Sequence, residues 1–143
     1  MPAARPPLPP VVVAPAPFKG ALSAPDAARA IAAGVRLAAT GVETRVVPVA
    51  DGGEGTLDAL LGASPDASAR RAMRVGDPLG RPVEAAFGML RGGTAVVELA
   101  QASGFERLVD GERDPEATST FGTGELIRAA LDLGARRVIV GVG

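Results

Sequence analysis

Apolar positions along the chain recur with two different periods, and the order of these periods predicts an α/β fold. Short apolar runs at 11–14 and 44–49 predict strands, and the residues between them show helical spacing over 23–41. Ser23 is the predicted N-cap of this helix, and its predicted apolar face consists of Ala28, Ile31, Val35 and Ala38. A second helical stripe of leucines lies at 57–61. The order strand, helix, strand and helix predicts a parallel sheet with right-handed crossovers.

The pattern changes after residue 69, where three runs separated by glycine-rich turns predict strands over 74–76, 82–90 and 94–99. No helical stripe separates them, so we expect an antiparallel or mixed β subdomain. A helical pattern resumes after Thr118 and stops at Gly134. The run 137–143 is typical of a buried parallel strand that enters a glycine-rich loop, so we expect a chain cut at the edge of an active site.

The amino-acid composition excludes several kinds of catalytic and binding site, but it says less about the fold. The chain has 143 residues, neither histidine nor cysteine, and a formal net charge of −1. Thiolate and imidazole catalysis are therefore excluded within it, and no basic block or aromatic platform favours nucleic-acid binding. No apolar stretch is long enough to cross a bilayer, and the proline-rich leader 1–10 lacks the apolar core of a secretory signal. We expect a cytoplasmic protein.

The strongest chemical signal is the loop that follows the second strand, Asp51-Gly52-Gly53-Glu54-Gly55. Its glycines allow close approach of the backbone to a ligand, and its two carboxylates can hold Mg²⁺, orient a hydroxyl or accept its proton. A tight turn that only caps the next helix explains the same residues equally well. The residues alone leave both interpretations open.

Hydroxyls and glycines at the start of the last helix form a second signal. The segment 118–125 reads TSTFGTGE, and such helix N-termini bind anions readily, although an ordinary cap also explains Thr123. Lys19 and Ser103 are weaker candidates, because a loop lysine or a polar turn is often simply solvated. Glu98 stands in an apolar strand, which can indicate a functional carboxylate, although an outward-facing position on a half-exposed sheet is the more common explanation.

Five stretches, in this order, resemble the N-terminal part of the type-1 family of bacterial glycerate kinases, which phosphorylate D-glycerate with ATP. They are VVVAPAPFKGALSA at 11–24, VPVADGGEGTLDAL at 47–60, VGDPLGRPVEAAFG at 75–88, AVVELAQASGFERL at 95–108 and TSTFGTGELIRAALDLGARRVIVGVG at 118–143. The resemblance implies an incomplete two-domain α/β fold with its site in a cleft. It also implies that the chain is an N-terminal fragment, inactive and prone to self-association by itself.

The resemblance further implies D-glycerate and ATP as substrates, Mg²⁺ as cofactor, and a product that is either 2- or 3-phosphoglycerate. It assigns catalytic roles to Asp51 and Lys19, with Asp51 also a metal ligand. The implied substrate- or nucleotide-binding residues are Gly52, Gly53, Glu54, Ser103, Thr120, Gly122, Thr123, Gly124 and Glu125. The chain departs from the family's motif at Ala16, where an Asp is usual, and at Pro17.

The resemblance also predicts how the chain is divided. After the leader 1–10, residues 11–65 would begin an α/β domain, 66–117 would form a β-rich second domain or junction, and 118–143 a helix–strand unit. A non-catalytic α/β binding or scaffold fragment is the rival interpretation. A nicotinamide dinucleotide-binding domain is disfavoured because no Gly-x-Gly-x-x-Gly follows the first strand.

Overall fold

The computed structural model describes residues 9–18, 21–63 and 69–143. They fall into two compact units, the first ending at Ala50 and the second beginning at Asp51. The first unit contains β1 (Val11–Val13), α1 (Ala24–Ala38) and β2 (Thr44–Val46). Its strands pair in parallel, as predicted, with Val11 opposite Thr44.

Helix α1 begins where the sequence predicts. The Asp26 amide donates to the Ser23 hydroxyl oxygen at 3.2 Å, which makes Ser23 the N-cap, and Gly41 follows the helix at a φ of +84°. The buried face is built of alanines, including Ala28 and Ala32. The predicted face through Ile31 is wrong: two short strands cover only a narrow stripe of the helix, and Ile31 is 43% exposed.

Strand β2 is shorter than the predicted span 44–49. The Val47 amide nevertheless donates to Val13 (2.9 Å), and the Val49 amide donates to the carbonyl of Pro15 (3.1 Å). Pro15 and Pro17 have no amide hydrogen to donate in return, so the regular ladder stops while part of its bonding continues.

The second unit contains a four-stranded sheet in the order β3-β4-β5-β6. Its strands are β3 (Ala69–Gly76), β4 (Pro82–Leu90), β5 (Thr94–Glu98) and β6 (Arg137–Gly141). The first three are antiparallel, whereas β6 runs parallel to β5. The sheet is therefore mixed, as predicted.

Helices cover both faces of this sheet. Helix α2 (Thr56–Gly62) packs through Leu57 on Ala86 and Val96, as its leucine stripe predicts. Helices α3 (Leu99–Ser103) and α4 (Phe121–Asp132) belong with the opposite face, where Leu126 and Phe87 share the larger core. None of the described helices is long and apolar enough to cross a membrane.

Strand β6 differs from its prediction. It was expected to be buried, yet it forms an edge of the sheet and leaves Ile139 41% and Val140 40% exposed. The reason is topological: among the residues that the structure describes, no strand pairs with the outer side of β6.

The strand directions decide where the loops meet. Because β3, β5 and β6 all run opposite to β4, their carboxyl ends, at Gly76, Glu98 and Gly141, lie at one edge of the sheet. Ligands of open α/β sheets bind outside such carboxyl ends. We call this side of the second unit the carboxyl edge.

The observed units do not follow the segments predicted from the resemblance. Helix α2 belongs to the predicted segment 11–65 but packs in the second unit, with β4 and β5. Those segments concern the domains of a longer two-domain protein, so their boundaries stay predictions.

Candidate active site

The Asp51 loop lies against the end of β6, at the carboxyl edge. A Cβ on Gly141 would lie 2.4 Å from the carbonyl oxygen of Gly52, and one on Gly52 would lie 3.2 Å from the amide nitrogen of Gly143. Side chains would keep these two backbones apart, so the glycines permit the contact. Two glycine-rich segments that are remote in sequence thus meet at one edge.

Within this loop, Asp51 forms a tight turn. Its Oδ1 accepts from the Gly53 amide at 3.0 Å, while the Gly52 amide donates to the hydroxyl of Thr56 at 3.1 Å. Gly52 has a φ of +99°, which favours glycine. Asp51 and Glu54 are both exposed. Asp51 therefore shapes a tight turn through one carboxylate oxygen, but it does not cap α2, whose N-cap is Gly55 without a side-chain cap bond. The other carboxylate oxygen stays available to a ligand.

Glu98 is the residue whose position sequence reasoning missed. It is fully buried at the carboxyl end of β5, where Oε2 accepts from the Leu57 amide at 2.9 Å and Oε1 from the Gln101 side chain at 3.4 Å. The outward-facing expectation is wrong, because helices cover both faces of β5. The uninterrupted apolar run 95–97 was the available signal, since such runs are typical of strands buried on both faces.

Four predicted binding residues join α4 to the rest of the edge. The Ser103 and Thr123 hydroxyls are 2.7 Å apart, and Glu125 Oε2 accepts from the Gly76 amide at 2.8 Å. A Cβ on Gly122 would lie 1.8 Å from the carbonyl oxygen of Gly76. Thr123, Glu125 and Gly122 therefore fix where α4 begins, and their binding roles stay predictions. Gly124 is exposed on the same helix.

A cavity of about 450 Å³ opens beside the start of α4. It brings together two of the predicted residues, Ser103 and Thr120. Three segments that are distant in sequence contribute its lining, which consists of Pro78, Ser103, Phe105, Leu108, Thr118, Ser119 and Thr120.

An ionic network holds the turn after β3 against the following loop segment. Arg81 donates to the buried Asp77 (2.5 Å), to Glu112 (2.7 Å) and to the carbonyl of Arg107 (3.0 Å). Burial opposes the charged form of Asp77, but hydrogen bonds from Arg81 and from the Leu79 amide outweigh it and lower the pKa of Asp77. The same guanidinium lowers the pKa of Glu112. This network adjoins the cavity at Pro78.

The predicted metal and lysine sites have a weaker structural basis. No group of three or more acidic residues suited to a metal ion occurs in the described part of the chain. Mg²⁺ commonly takes only one or two carboxylates together with substrate phosphates, and the exposed Asp51 and Glu54 supply donors of that type. Lys19 lies outside the described residues.

The sheet and its carboxyl edge define an α/β protein of the class that binds ligands where parallel strands end. A family model described as the glycerate kinase family matches residues 11–143. The chain belongs to the glycerate kinase family, as its five motif stretches predict.

Individual relatives agree with this assignment. The chain is 48% identical over 136 residues to a glycerate kinase from Bacillus subtilis and 44% identical over 134 residues to the glycerate 2-kinase of Escherichia coli. Each match covers 93% of this chain but 35% of the relative. A crystal structure from Salmonella typhimurium LT2, provisionally named glycerate kinase 2, matches at a TM-score of 0.76 with 40% identity, covering 94% of this chain and 36% of that one. The chain thus spans about a third of its relatives.

Proposed function

We propose that this chain forms part of an ATP-dependent kinase that phosphorylates D-glycerate. The observation that supports this most directly is the convergence at the carboxyl edge: the Asp51 loop, the end of β6 and the start of α4 all lie where the parallel strands end. The names of the Bacillus and Escherichia relatives supply the acceptor. We further propose a cytoplasmic location for the enzyme.

Phosphoryl transfer depends on positioning and charge neutralisation more than on covalent chemistry, so a site without histidine is sufficient. In the proposed site, Asp51 accepts the proton of the reacting glycerate hydroxyl through the carboxylate oxygen that the turn leaves available. The Gly52 and Gly53 backbone lets substrate approach closely. Glu54 supports this loop, and Lys19 neutralises substrate carboxylate or phosphate.

Mg²⁺, when bound, would neutralise charge on the transferred phosphoryl group, and holding this ion is the alternative role proposed for the available oxygen of Asp51. The remaining proposed binding residues are Ser103 and those at the start of α4: Thr120, Gly122, Thr123, Gly124 and Glu125. Glu98 has a different role, because its carboxylate is buried and bonded to the first turn of α2. It positions the helix that follows the Asp51 loop.

The test uses a hybrid in which this chain is followed by the remaining C-terminal part of the Bacillus subtilis relative. We expect D-glycerate-dependent ADP formation by the hybrid and none by the 143-residue chain alone, with ³¹P NMR separating 2- from 3-phosphoglycerate. Omission of glycerate controls for simple ATP hydrolysis. A folded hybrid that forms no phosphoglycerate would contradict the proposal and favour a binding or scaffold role.

A further inference from the structure

The cavity at the start of α4 combines apolar and hydroxyl-bearing side chains. Its lining consists of apolar groups, Pro78, Phe105 and Leu108, and of hydroxyls from Ser103 and the segment 118–120. None of these side chains is charged. Amides and hydroxyls at a helix N-terminus can bind an anion without Arg or Lys. The apolar Pro78, Phe105 and Leu108 suit a ligand that also carries an uncharged apolar part.

The size of the cavity argues against glycerate as its occupant. About 450 Å³ lies within the range of pockets that enclose drug-sized organic molecules, which is much more than a three-carbon acid fills. A purine nucleoside matches both the volume and the lining, because it combines a flat apolar heterocycle with a ribose rich in hydroxyls.

Phe105 and Thr120 supply the contacts that such a ligand needs. The Phe105 side chain is 76% exposed at the rim, and an aromatic face stacks on any nucleobase. The hydroxyls of Thr118 and Ser119 are already bonded to nearby backbone. Thr120 makes no side-chain cap bond at the start of α4, so its hydroxyl is available to a ribose or base.

The walls of the cavity are held in place before any ligand arrives. The Ser119 amide donates to the carbonyl of Pro78 at 2.9 Å, which ties two walls together. Arg81 bonds Asp77, next to Pro78, and also the carbonyl of Arg107, which lies between Phe105 and Leu108. Such preorganisation reduces the entropy that binding would cost.

We propose that this cavity binds the adenosine moiety of ATP. The inference rests on the proposed kinase function and narrows the predicted substrate- or nucleotide-binding role of Ser103 and Thr120 to the adenosine of the nucleotide. It leaves the triphosphate and glycerate to the glycine-rich Asp51 loop, at the same carboxyl edge of the sheet.

The test uses the ¹⁵N-labelled 143-residue chain, titrated by NMR with adenosine and, separately, with D-glycerate and inorganic phosphate. We expect adenosine to shift the amides of 103–108 and 118–120 with a dissociation constant in the millimolar range. Phe105→Ala should weaken this binding about tenfold, the scale of losing one stacking contact. Phe121→Ala is the matched control, because Phe121 is 73% exposed but does not line the cavity, and it should leave the affinity unchanged.

Two results would overturn the inference: adenosine shifts that are absent at saturating concentration, or shifts that Phe105→Ala and Phe121→Ala weaken equally. If glycerate or phosphate shifts the same amides and adenosine does not, the inference is also overturned, and the cavity would be assigned to an anionic ligand. Adenosine binding requires no phosphoryl transfer. Failure of the hybrid's kinase assay would therefore refute the proposed function while the adenosine titration still reports on the cavity.

Discussion

Gly122 lies where α4 meets the end of β3, and replacing it by alanine should break that junction. The added Cβ would lie 1.8 Å from the oxygen and 2.9 Å from the carbon of the Gly76 carbonyl. Non-bonded heavy atoms are comfortable at about 3.5 Å or more, so α4 and β3 must separate by roughly 1.5 Å. Both atoms belong to backbone, which no rotamer change can move.

The expected cost follows from two opposing effects. Overpacking costs about 1–3 kcal/mol, and a backbone clash this close belongs at the upper end of that range. Alanine returns at most about 1 kcal/mol of helix propensity. The free energy of unfolding should therefore fall by about 2 kcal/mol. Gly124→Ala is the matched control: nothing lies within 4 Å of its Cβ position, so it should stabilise the same helix by up to about 1 kcal/mol.

Urea denaturation followed by far-UV circular dichroism measures both effects, since the chain has no Trp or Tyr for fluorescence. We expect the midpoint to fall for Gly122→Ala and to stay level or rise for Gly124→Ala. If both variants shift alike, or if Gly122→Ala unfolds at the parent's midpoint, the close approach of α4 to β3 is wrong.

The remaining predictions concern two carboxylates, Asp77 and Glu98, and the alanine at position 16. Because its pKa is lowered in the folded state, Asp77 stabilises the fold above its unfolded pKa of about 4, and this contribution is lost as pH falls through the folded pKa. In urea melts, Asp77→Asn should cost about 2 kcal/mol at pH 7 and progressively less as the pH falls below about 4. A pH-independent cost would contradict this. Glu98→Gln keeps an acceptor for the Leu57 amide, so it should lower the free energy of unfolding by about 1 kcal/mol or less, whereas Glu98→Leu should lower it by about 2 kcal/mol or more. Equal melting temperatures for the two variants would refute the role of this bond. In the hybrid, Ala16→Asp should raise kcat/KM for glycerate by restoring the carboxylate that the family's motif has three positions before Lys19 in sequence. A loss of activity with the fold intact would show a site rebuilt around alanine.

Local sequence signals predict the elements of this chain well. Strand β4 spans Pro82–Leu90, as its alternation and flanking glycine turns indicate, and Ser23 caps α1 as the residues around it indicate. These features depend on neighbours within a few positions, so a single sequence contains the necessary information.

The tertiary contacts of the candidate site were not predictable in the same way. The approach of Gly122 to Gly76 and the bond from Leu57 to Glu98 join residues that are more than 40 positions apart. The family resemblance implied a binding role for Gly122, and pattern reasoning favoured an outward-facing position for Glu98. Only the packing of helices on both faces of the sheet shows that Gly122 permits α4 to approach β3 and that Glu98 holds the first turn of α2.

Sequence reasoning also grouped the binding residues by motif, whereas the structure groups them by which side chains lie close together. Ser103 and Thr120 meet in the cavity because the ends of α3 and the start of α4 adjoin there. Glu125, from the same motif as Thr120, is instead bonded to the end of β3. The order of residues along one helix start does not reveal which of them face the cavity.

The most direct test of the account is the turnover of Asp51→Asn in the hybrid enzyme. Asparagine keeps a side-chain oxygen that can accept from the Gly53 amide, so the turn should survive and the melting temperature should not change. Loss of the carboxylate should lower kcat by about 100-fold or more, the scale of a positioned acid–base group. A variant that turns over as fast as its parent would show that Asp51 only shapes the turn and that the carboxyl edge is not where glycerate is phosphorylated.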